Sequence, residues 1–183
     1  SEVDTWINTW PYNDISKKDS MLIWSDQLME AYKTLKYKRA EAYASRFRGL
    51  YYDYSDQPEI AAKHYLEFLR LAKSYESLSD EMSATSDLVY IYTTTNQDHL
   101  AKPMILKFTN WPNKNDLNQK KLGTFFNNLG VIYRKENKFD SAVVAYKSAL
   151  KIKEQLKDEK GMSNLRINLS SLFINQKKYK EAL

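Results

Sequence analysis

The 183-residue chain contains no cysteine and only four glycines and four prolines. Without cysteine there is neither a disulfide framework nor thiolate chemistry. Few positions suit tight turns, because glycine and proline are scarce, and this favours long helices over many short strands. The sequence also lacks any run of about eighteen apolar residues, the length that a membrane-spanning helix requires.

The composition is that of a folded chain with a basic surface. Hydrophobic residues make up 43% and aromatic residues 14%, which excludes a disordered segment. Lysine and arginine exceed aspartate and glutamate by five, giving a pI of about 9.1. The densest basic stretch is either a patch for nucleic-acid phosphates or the exposed side of a helix whose apolar side is Tyr32, Leu35 and Ala40. We favour the exposed helix and expect no nucleic-acid partner. The stretch comprises Lys33, Lys36, Lys38 and Arg39, together with Tyr32 and Tyr37.

A pattern of about forty residues recurs along the chain. In each copy an aromatic residue follows a small residue after three positions, and an alanine follows the aromatic residue after nine more. In the second copy Val89 takes the place of the small residue. The aromatic residues of successive copies lie 40, 41 and 40 positions apart, and the alanines keep the same spacing. A fixed period of this size is the signature of a helical repeat array. The repeat positions are Gly49, Tyr52, Ala61 and Tyr65; Val89, Tyr92, Ala101 and Ile105; Gly130, Tyr133, Ala142 and Tyr146; and Ser170, Phe173 and Ala182.

Small residues at these positions indicate close contact between two helices. Gly130 and Ala142 would let antiparallel helices approach each other, with Tyr133 and Tyr146 filling the space beside them. A glycine inside a helix is less favourable than alanine by about 1 kcal/mol, so Gly49 and Gly130 suggest a contact that needs the missing side chain. The predicted fold class is all-α, built from stacked antiparallel helix pairs.

The period also predicts the organisation of the chain. Residues 1–36 would form an N-terminal segment with a capping helix, followed by repeats at 37–77, 78–117 and 118–158 and an incomplete repeat at 159–183. Pro103 lies within the second helix of the second repeat, so that helix should start late, kink or be short. At residues 109–116, TNWPNKND, the array should bend or carry an exposed loop that contains Trp111. We expect the chain to be an excerpt of a longer protein, because it starts with Ser1 and stops within an apolar-periodic segment.

The stretch NNLGVIYRKENKFDSAVVAYKSAL, residues 127–150, resembles the tetratricopeptide repeat in its longer variant of about forty residues. The stretch LKIKEQLKDEKGMSNLRINLSSLF, residues 150–173, is similar to the linkers between such repeats in bacterial signalling proteins. The resemblance covers roughly residues 37–183 and is weakest in the second copy, at Val89. It implies a right-handed superhelix whose concave groove is lined by the first helix of each pair.

The resemblance also implies where a ligand would bind. Asn128 and Asn168 stand directly before the leucine and the small residue, where the longer-repeat family often places an asparagine that holds a peptide backbone. An amide side chain offers both a donor and an acceptor to a peptide group, and basic residues could meet a carboxylate. Alternatively, the asparagines bond within or between helices, or face water. The expected ligand-binding residues are Arg46, Tyr90, Asn127, Asn128, Arg134, Lys135, Asn168 and Asn175.

No constellation of residues suggests catalysis. His64 and His99 each lack a partner at the spacing of four that a helical metal site uses. The string SALK, residues 148–151, carries the helix-packing period, and no glycine-rich phosphate loop is present. We therefore predict no enzymatic activity, no cofactor and no metal.

The sequence thus predicts a non-catalytic module that binds a peptide or protein segment in a groove. The resemblance implies the sensory or interaction region of a larger bacterial signalling protein, such as a two-component sensor kinase, in an extracytoplasmic (periplasmic) location. One alternative is a scaffold for dimerisation or assembly. Another is a cytosolic peptide receptor attached to a DNA-binding regulator.

Overall fold

The structure, a computed structural model, describes residues 2–9 and 15–175, apart from the side chains of Trp6, Ile15 and Asn175. These residues form nine α-helices and no β-strand, which confirms the predicted all-α class. Ala182 lies outside the described residues. The helices are α1 (Glu2–Thr9), α2 (Ser20–Leu35), α3 (Lys38–Asp53), α4 (Pro58–Ser74), α5 (Leu78–Thr94), α6 (Asp98–Thr109), α7 (Gln119–Lys135), α8 (Phe139–Gln155) and α9 (Glu159–Asn175).

Most helices are joined by turns of two to four residues that contain one residue in the left-handed backbone region. This conformation commonly ends a helix, since it satisfies carbonyl groups of the last turn. After α2, for example, the backbone N–H of Lys36 donates to the carbonyl oxygen of Tyr32 at 2.7 Å. Within each unit, these turns let consecutive helices pack against each other. Their left-handed residues, with φ between 53° and 59°, are Lys36, Asp56, Glu76, Asn96, Asn137 and Lys157.

The helices belong to two compact units, Ser1–Thr95 and Asn96–Leu183. In the first unit α2 packs on α3, α3 on α4 and α4 on α5. In the second, α6 packs on α7, α7 on α8 and α8 on α9. The boundary between the units falls after α5, inside the predicted repeat at 78–117.

Two of the four glycines provide the close approach that their sequence positions suggest. A Cβ atom at Gly49 would lie 2.5 Å from the Tyr65 ring, and one at Gly130 would lie 2.6 Å from the Tyr146 ring. Both tyrosines are fully buried, so neither ring has room to move. The helix pairs α3–α4 and α7–α8 therefore owe their spacing to a glycine backbone against a tyrosine ring.

The other repeat positions divide into two groups. The alanines that the structure describes, Ala61, Ala101 and Ala142, are fully buried. The aromatic residues three positions after the small residue are only half-buried, so they cover the edge of the core instead of filling it. These are Tyr52, Tyr92, Tyr133 and Phe173.

The helix that contains the proline of the second repeat is short, which is one of the three outcomes predicted for it. Helix α6 contains Pro103 and has 12 residues, whereas α4 and α8 each have 17. The connection that follows, residues 110–118, includes a 3-10 turn at Lys114–Asp116. Trp111 in this connection is half-buried and stacks on Phe108, with ring centroids 6.2 Å apart.

The interpretation of the basic stretch as one helix with an apolar side is wrong. Helix α2 ends at Leu35 and α3 begins at Lys38, so the stretch spans the turn between two helices. The side chain of Leu35 is 64% exposed, whereas Ala40 is buried. The basic residues are therefore grouped around a helix junction.

Replacing Gly130 by alanine should destabilise the fold by about 1 to 3 kcal/mol, because the new methyl group overlaps the Tyr146 ring. Leucine at Gly130 or Ala142 should be at least as harmful. Gly123→Ala on the same helix is the control: its Cβ would meet a methyl group of Ile152 at 3.2 Å, and helix propensity favours alanine. Urea unfolding would measure the difference. Equal stabilisation by both alanine variants would contradict the close contact at Gly130.

Candidate functional site

Polar side chains of neighbouring first helices bond to each other at a separation of 41 residues. In the first unit Arg39 Nε donates to Asp80 Oδ2 at 2.8 Å, and Arg46 Nε donates to Asp87 Oδ2 at 2.7 Å. In the second unit Asn168 Nδ2 donates to Asn127 Oδ1 at 3.2 Å. The separation is one residue more than the common repeat length, so these bonds connect a helix to the corresponding helix of the next repeat.

Asp80 is the most buried acidic residue of this set, with 1% of its surface exposed. It accepts hydrogen bonds from Arg39, from the Tyr43 hydroxyl at 2.7 Å and from the Tyr75 hydroxyl at 3.1 Å. Burial by itself would raise the pKa of Asp80, but these bonds hold the pKa below its ordinary value. A buried charge is tolerated only when it is paired and hydrogen-bonded in this way.

Arg46, predicted to meet a ligand carboxylate, instead binds a carboxylate of its own chain. Its guanidinium donates to both oxygens of Asp87, at 2.7 and 3.2 Å, and lies over the Phe68 ring at 5.6 Å. The side chain of Arg46 is only 11% exposed. The structure therefore places Arg46 in the contact between two helices.

The predicted asparagines occupy the second unit and contact one another. Asn127 donates to Asn128 Oδ1 at 3.4 Å and accepts from Asn168. The bond between Asn168 and Asn127 connects α9 to α7. These two residues also line a cavity of about 340 Å³, the asparagine cleft, whereas Asn128 does not. The other lining residues are Thr124, Lys153, Gly161, Asn164 and Leu165.

The remaining predicted residues do not share one site. Lys135 Nζ forms an ion pair with Asp98 Oδ2 at 2.7 Å. Arg134 is exposed and lies near Tyr146. Burial raises the pKa of Tyr146, and the charge of Arg134 opposes this rise. Tyr90 is 57% exposed and belongs to a different cleft, in the first unit. The side chain of Asn175 lies outside the described residues.

The cleft around Tyr90 combines tyrosine rings and carboxylates. It has a volume of about 460 Å³. Sequence reasoning missed Asp53 as a member of this cleft, because nothing in the spacing of Asp53 and Asp87 shows that they converge. We call it the tyrosine–aspartate cleft; its lining residues are Leu50, Asp53, Tyr54, Asp56, Tyr65, Ser86, Asp87 and Tyr90.

Asp53 has the most perturbed carboxyl group of this cleft. Burial and, to a smaller extent, the charge of Asp87 raise the pKa of Asp53 to about 6, against a hydrogen bond with Tyr65 that lowers it. The repeat pattern does not require a carboxylate at the position of Asp53. The equivalent position two repeats later, 81 residues along the chain, is Arg134. Arg134 lies near the buried Tyr146 as Asp53 lies near the buried Tyr65. The carboxylate of Asp53 is therefore not a general feature of the repeat.

The described residues form no group of side chains that could hold a metal ion. Within them, no three His, Asp or Glu side chains converge as metal ligands would. The His64 ring stacks on Tyr52 with centroids 5.4 Å apart, and burial lowers its pKa. His99 is exposed. No helix in the described part of the chain is long and apolar enough to cross a membrane.

Asp53→Asn should stabilise the chain at neutral pH. The folded state holds the Asp53 proton more tightly than the unfolded state, whose pKa is near the ordinary value of 3.8. The contribution of this proton to the free energy of unfolding is fully present below about pH 4 and is lost as the pH rises through about 6. For this half-buried group we expect a gain of about 1 to 2 kcal/mol for Asp53→Asn at pH 7 and little at pH 4.

Chemical unfolding at both pH values would measure this difference. Asp56→Asn, at an exposed carboxylate of the same cleft, is the matched control. A gain for Asp53→Asn that is the same at pH 4 and pH 7 would contradict the raised pKa.

Comparison with known proteins supports the repeat assignment. Residues 124–156, which contain most of α7 and α8, match the family model described as tetratricopeptide repeat. No curated protein sequence matches the chain.

A solved structure similar to this chain is the crystal structure of BtubC (BKLC) from P. vanneervenii. The two chains share 18% sequence identity and superpose with a TM-score of 0.74. The alignment covers 91% of this chain and 70% of the BtubC chain. At this identity the likeness shows the helical-repeat fold alone. Tetratricopeptide repeats are generally non-catalytic units of protein interaction. The chain therefore carries a tetratricopeptide repeat at residues 124–156, which confirms the resemblance stated for residues 127–150.

Proposed function

We propose that this protein is a non-catalytic module that binds a peptide or an extended protein segment along the polar faces of its first helices. The observation that carries the proposal is the asparagine cleft. There Asn127 from α7 and Asn164 and Asn168 from α9 line one cavity of about 340 Å³. An extended segment can place its peptide groups against these amides.

The hydrogen-bonding capacity of the cleft supports this function. An amide side chain has two N–H donors and an oxygen that can accept two bonds. The bonds between Asn127, Asn128 and Asn168 use one N–H of Asn127 and one of Asn168. Donors and acceptors thus remain for a ligand, and the existing bonds fix the orientation of the amides before it arrives, which lowers the entropy cost of binding.

The charge balance of the cleft favours an uncharged ligand group. Its one cation, Lys153, forms an ion pair with Asp158 Oδ2 at 2.7 Å, and Asp158 Oδ1 accepts the backbone N–H of Gly161 at 2.9 Å. Because Lys153 is already paired, the cleft offers dipoles rather than net charge. Peptide groups fit such a site better than carboxylates or phosphates.

We place this module in the sensory or interaction region of a larger bacterial signalling protein, and favour an extracytoplasmic location. Support comes from the similarity of residues 150–173 to the linkers of such proteins. A cytosolic receptor attached to a DNA-binding regulator remains the alternative context. The protein segments that adjoin this chain in its gene would decide between the two.

Peptide selection tests the asparagine cleft. A random peptide library should yield binders whose affinity falls about 10- to 30-fold in an Asn127→Ala, Asn168→Ala double variant, since each lost hydrogen bond contributes about 1 kcal/mol. Ser163→Ala, at an exposed position of α9, is the control. Methylating the backbone nitrogens of a selected peptide should weaken its binding to the wild-type protein. Unchanged affinity of the double variant would contradict the proposed role of the cleft.

A scaffold for assembly is the second candidate, favoured by an apolar cleft in the second unit. This cleft has a volume of about 370 Å³, and Val144 at its edge is 66% exposed. Exposed apolar surface of this kind often marks a protein interface. Its apolar lining residues are Leu106, Phe126, Leu129, Tyr133, Val144 and Ala145.

Light scattering over a dilution series distinguishes the two candidates. For a peptide-binding module, the wild-type protein should remain monomeric over the series, and Val144→Asp should leave its mass unchanged. A dimer that dissociates in the Val144→Asp variant, but not in a Lys147→Asp control at an exposed position of α8, would favour the scaffold.

A further inference from the structure

A carboxylate connects the short helix α1 to the rest of the first unit. Asp4 Oδ1 accepts a hydrogen bond from the Tyr37 hydroxyl at 2.6 Å and another from Nη1 of Arg39. One turn later, Asn8 Oδ1 accepts from Arg39 Nη2 at 3.2 Å, and the side chain of Ile7 is buried. The remaining described side chains of α1 are exposed or half-buried.

The array does not need α1 to satisfy Arg39. The guanidinium also bonds to both oxygens of Asp80, at 2.8 and 3.3 Å, and Asp80 is further held by Tyr43 and Tyr75. If α1 moved away, Arg39 would keep this ion pair and would present Nη1 to the solvent. A helix of eight residues is unstable by itself in water, so α1 depends on its contacts with this surface.

The surface that holds Asp4 is basic. A cavity of about 680 Å³ separates part of α1 from the turn between α2 and α3. Lys36 and Lys38 on its wall are exposed, and the carboxylate of Asp4 is the acidic group that faces them from α1. Without Asp4 the wall would be a cationic site with two hydrogen-bond donors, Arg39 and Tyr37, directed to one point. Its lining residues are Asp4, Asn8, Lys36, Tyr37, Lys38, Arg39, Tyr75 and Ser77.

We propose that Arg39 and Tyr37 form a binding site for a carboxylate of an acidic protein segment, and that Asp4 occupies this site until such a segment displaces α1. The site lies in the first unit and does not involve the asparagine cleft, so it stands or falls separately from the function proposed above. It gives a role to the basic residues that the sequence groups around Arg39.

A carboxylate fits this site better than a nucleic-acid backbone does. The present occupant is a carboxylate, and two donors meet one of its oxygens, as in charge-assisted hydrogen bonds of carboxylates. Nucleic-acid backbones are held by several phosphate contacts along a groove or stripe, whereas the basic residues here surround a single helix junction. The excess of positive charge would draw an acidic segment toward the site.

Binding of a fluorescent ten-residue glutamate peptide tests the proposal. Asp4→Ala should raise the affinity about tenfold, because it frees two donors to a charged acceptor. Glu2→Ala is the matched control, since it removes the same charge from an exposed position of α1 and should change the affinity less than about twofold. In the Asp4→Ala background, Tyr37→Phe should lower the affinity several-fold.

Equal effects of Asp4→Ala and Glu2→Ala would overturn the proposal. So would a ten-residue deoxythymidine strand that binds more tightly than the glutamate peptide with the same dependence on Asp4, since the site would then bind phosphate. Hydrogen exchange on the wild-type protein provides a measurement without variants. A saturating glutamate peptide should speed exchange of the α1 amides, and unchanged protection of α1 would overturn the proposed competition.

Discussion

The contact between a glycine backbone and a tyrosine ring sets the distance between the two helices of a pair. At Gly49 and Gly130 no other residue leaves enough space, because the rings of Tyr65 and Tyr146 already lie where a Cβ atom would be. A rigid ring against a backbone defines one spacing, whereas flexible side chains would permit several. Within each unit, a ladder of bonds at a separation of 41 residues then connects a first helix to the first helix of the next repeat.

That ladder determines what the polar faces can do. Arg46 is held by Asp87, so its charge is largely compensated within the first unit, whereas Arg39 pairs with both Asp80 and Asp4. The chemistry available to a ligand comes from the groups that remain around these bonds. In the first unit these are tyrosines and a carboxylate with a raised pKa; in the second they are neutral amides. Repeats with one architecture therefore offer clefts with different chemistry.

Much of the fold can be predicted from the sequence, because the period of about forty residues, the small residues and Pro103 act through local geometry. The candidate functional site is harder to predict from the sequence. Spacing within one helix indicates which residues share a face, but not that Arg46 reaches Asp87 in the next repeat, since this depends on how two helices stack. The same limit hides the burial of Asp80 and the contact of Asp4 with Arg39. Opposite charges separated by one repeat length plus one residue are the signal that could have revealed the two arginine–aspartate pairs.

The long connection after α6 is a suitable place for inserting foreign sequence into the protein. The left-handed turn residues Asn96 and Asn137 lie 41 positions apart, although α6 is five residues shorter than α8. Residues 110–118 thus make up the length that α6 lacks, and α7 starts in register with the other first helices. Apart from Trp111 and Leu117, this segment is exposed. Such surface segments tolerate inserted sequence best, so an epitope or a fluorophore grafted between Pro112 and Asp116 would report on the protein while leaving its helix pairs intact.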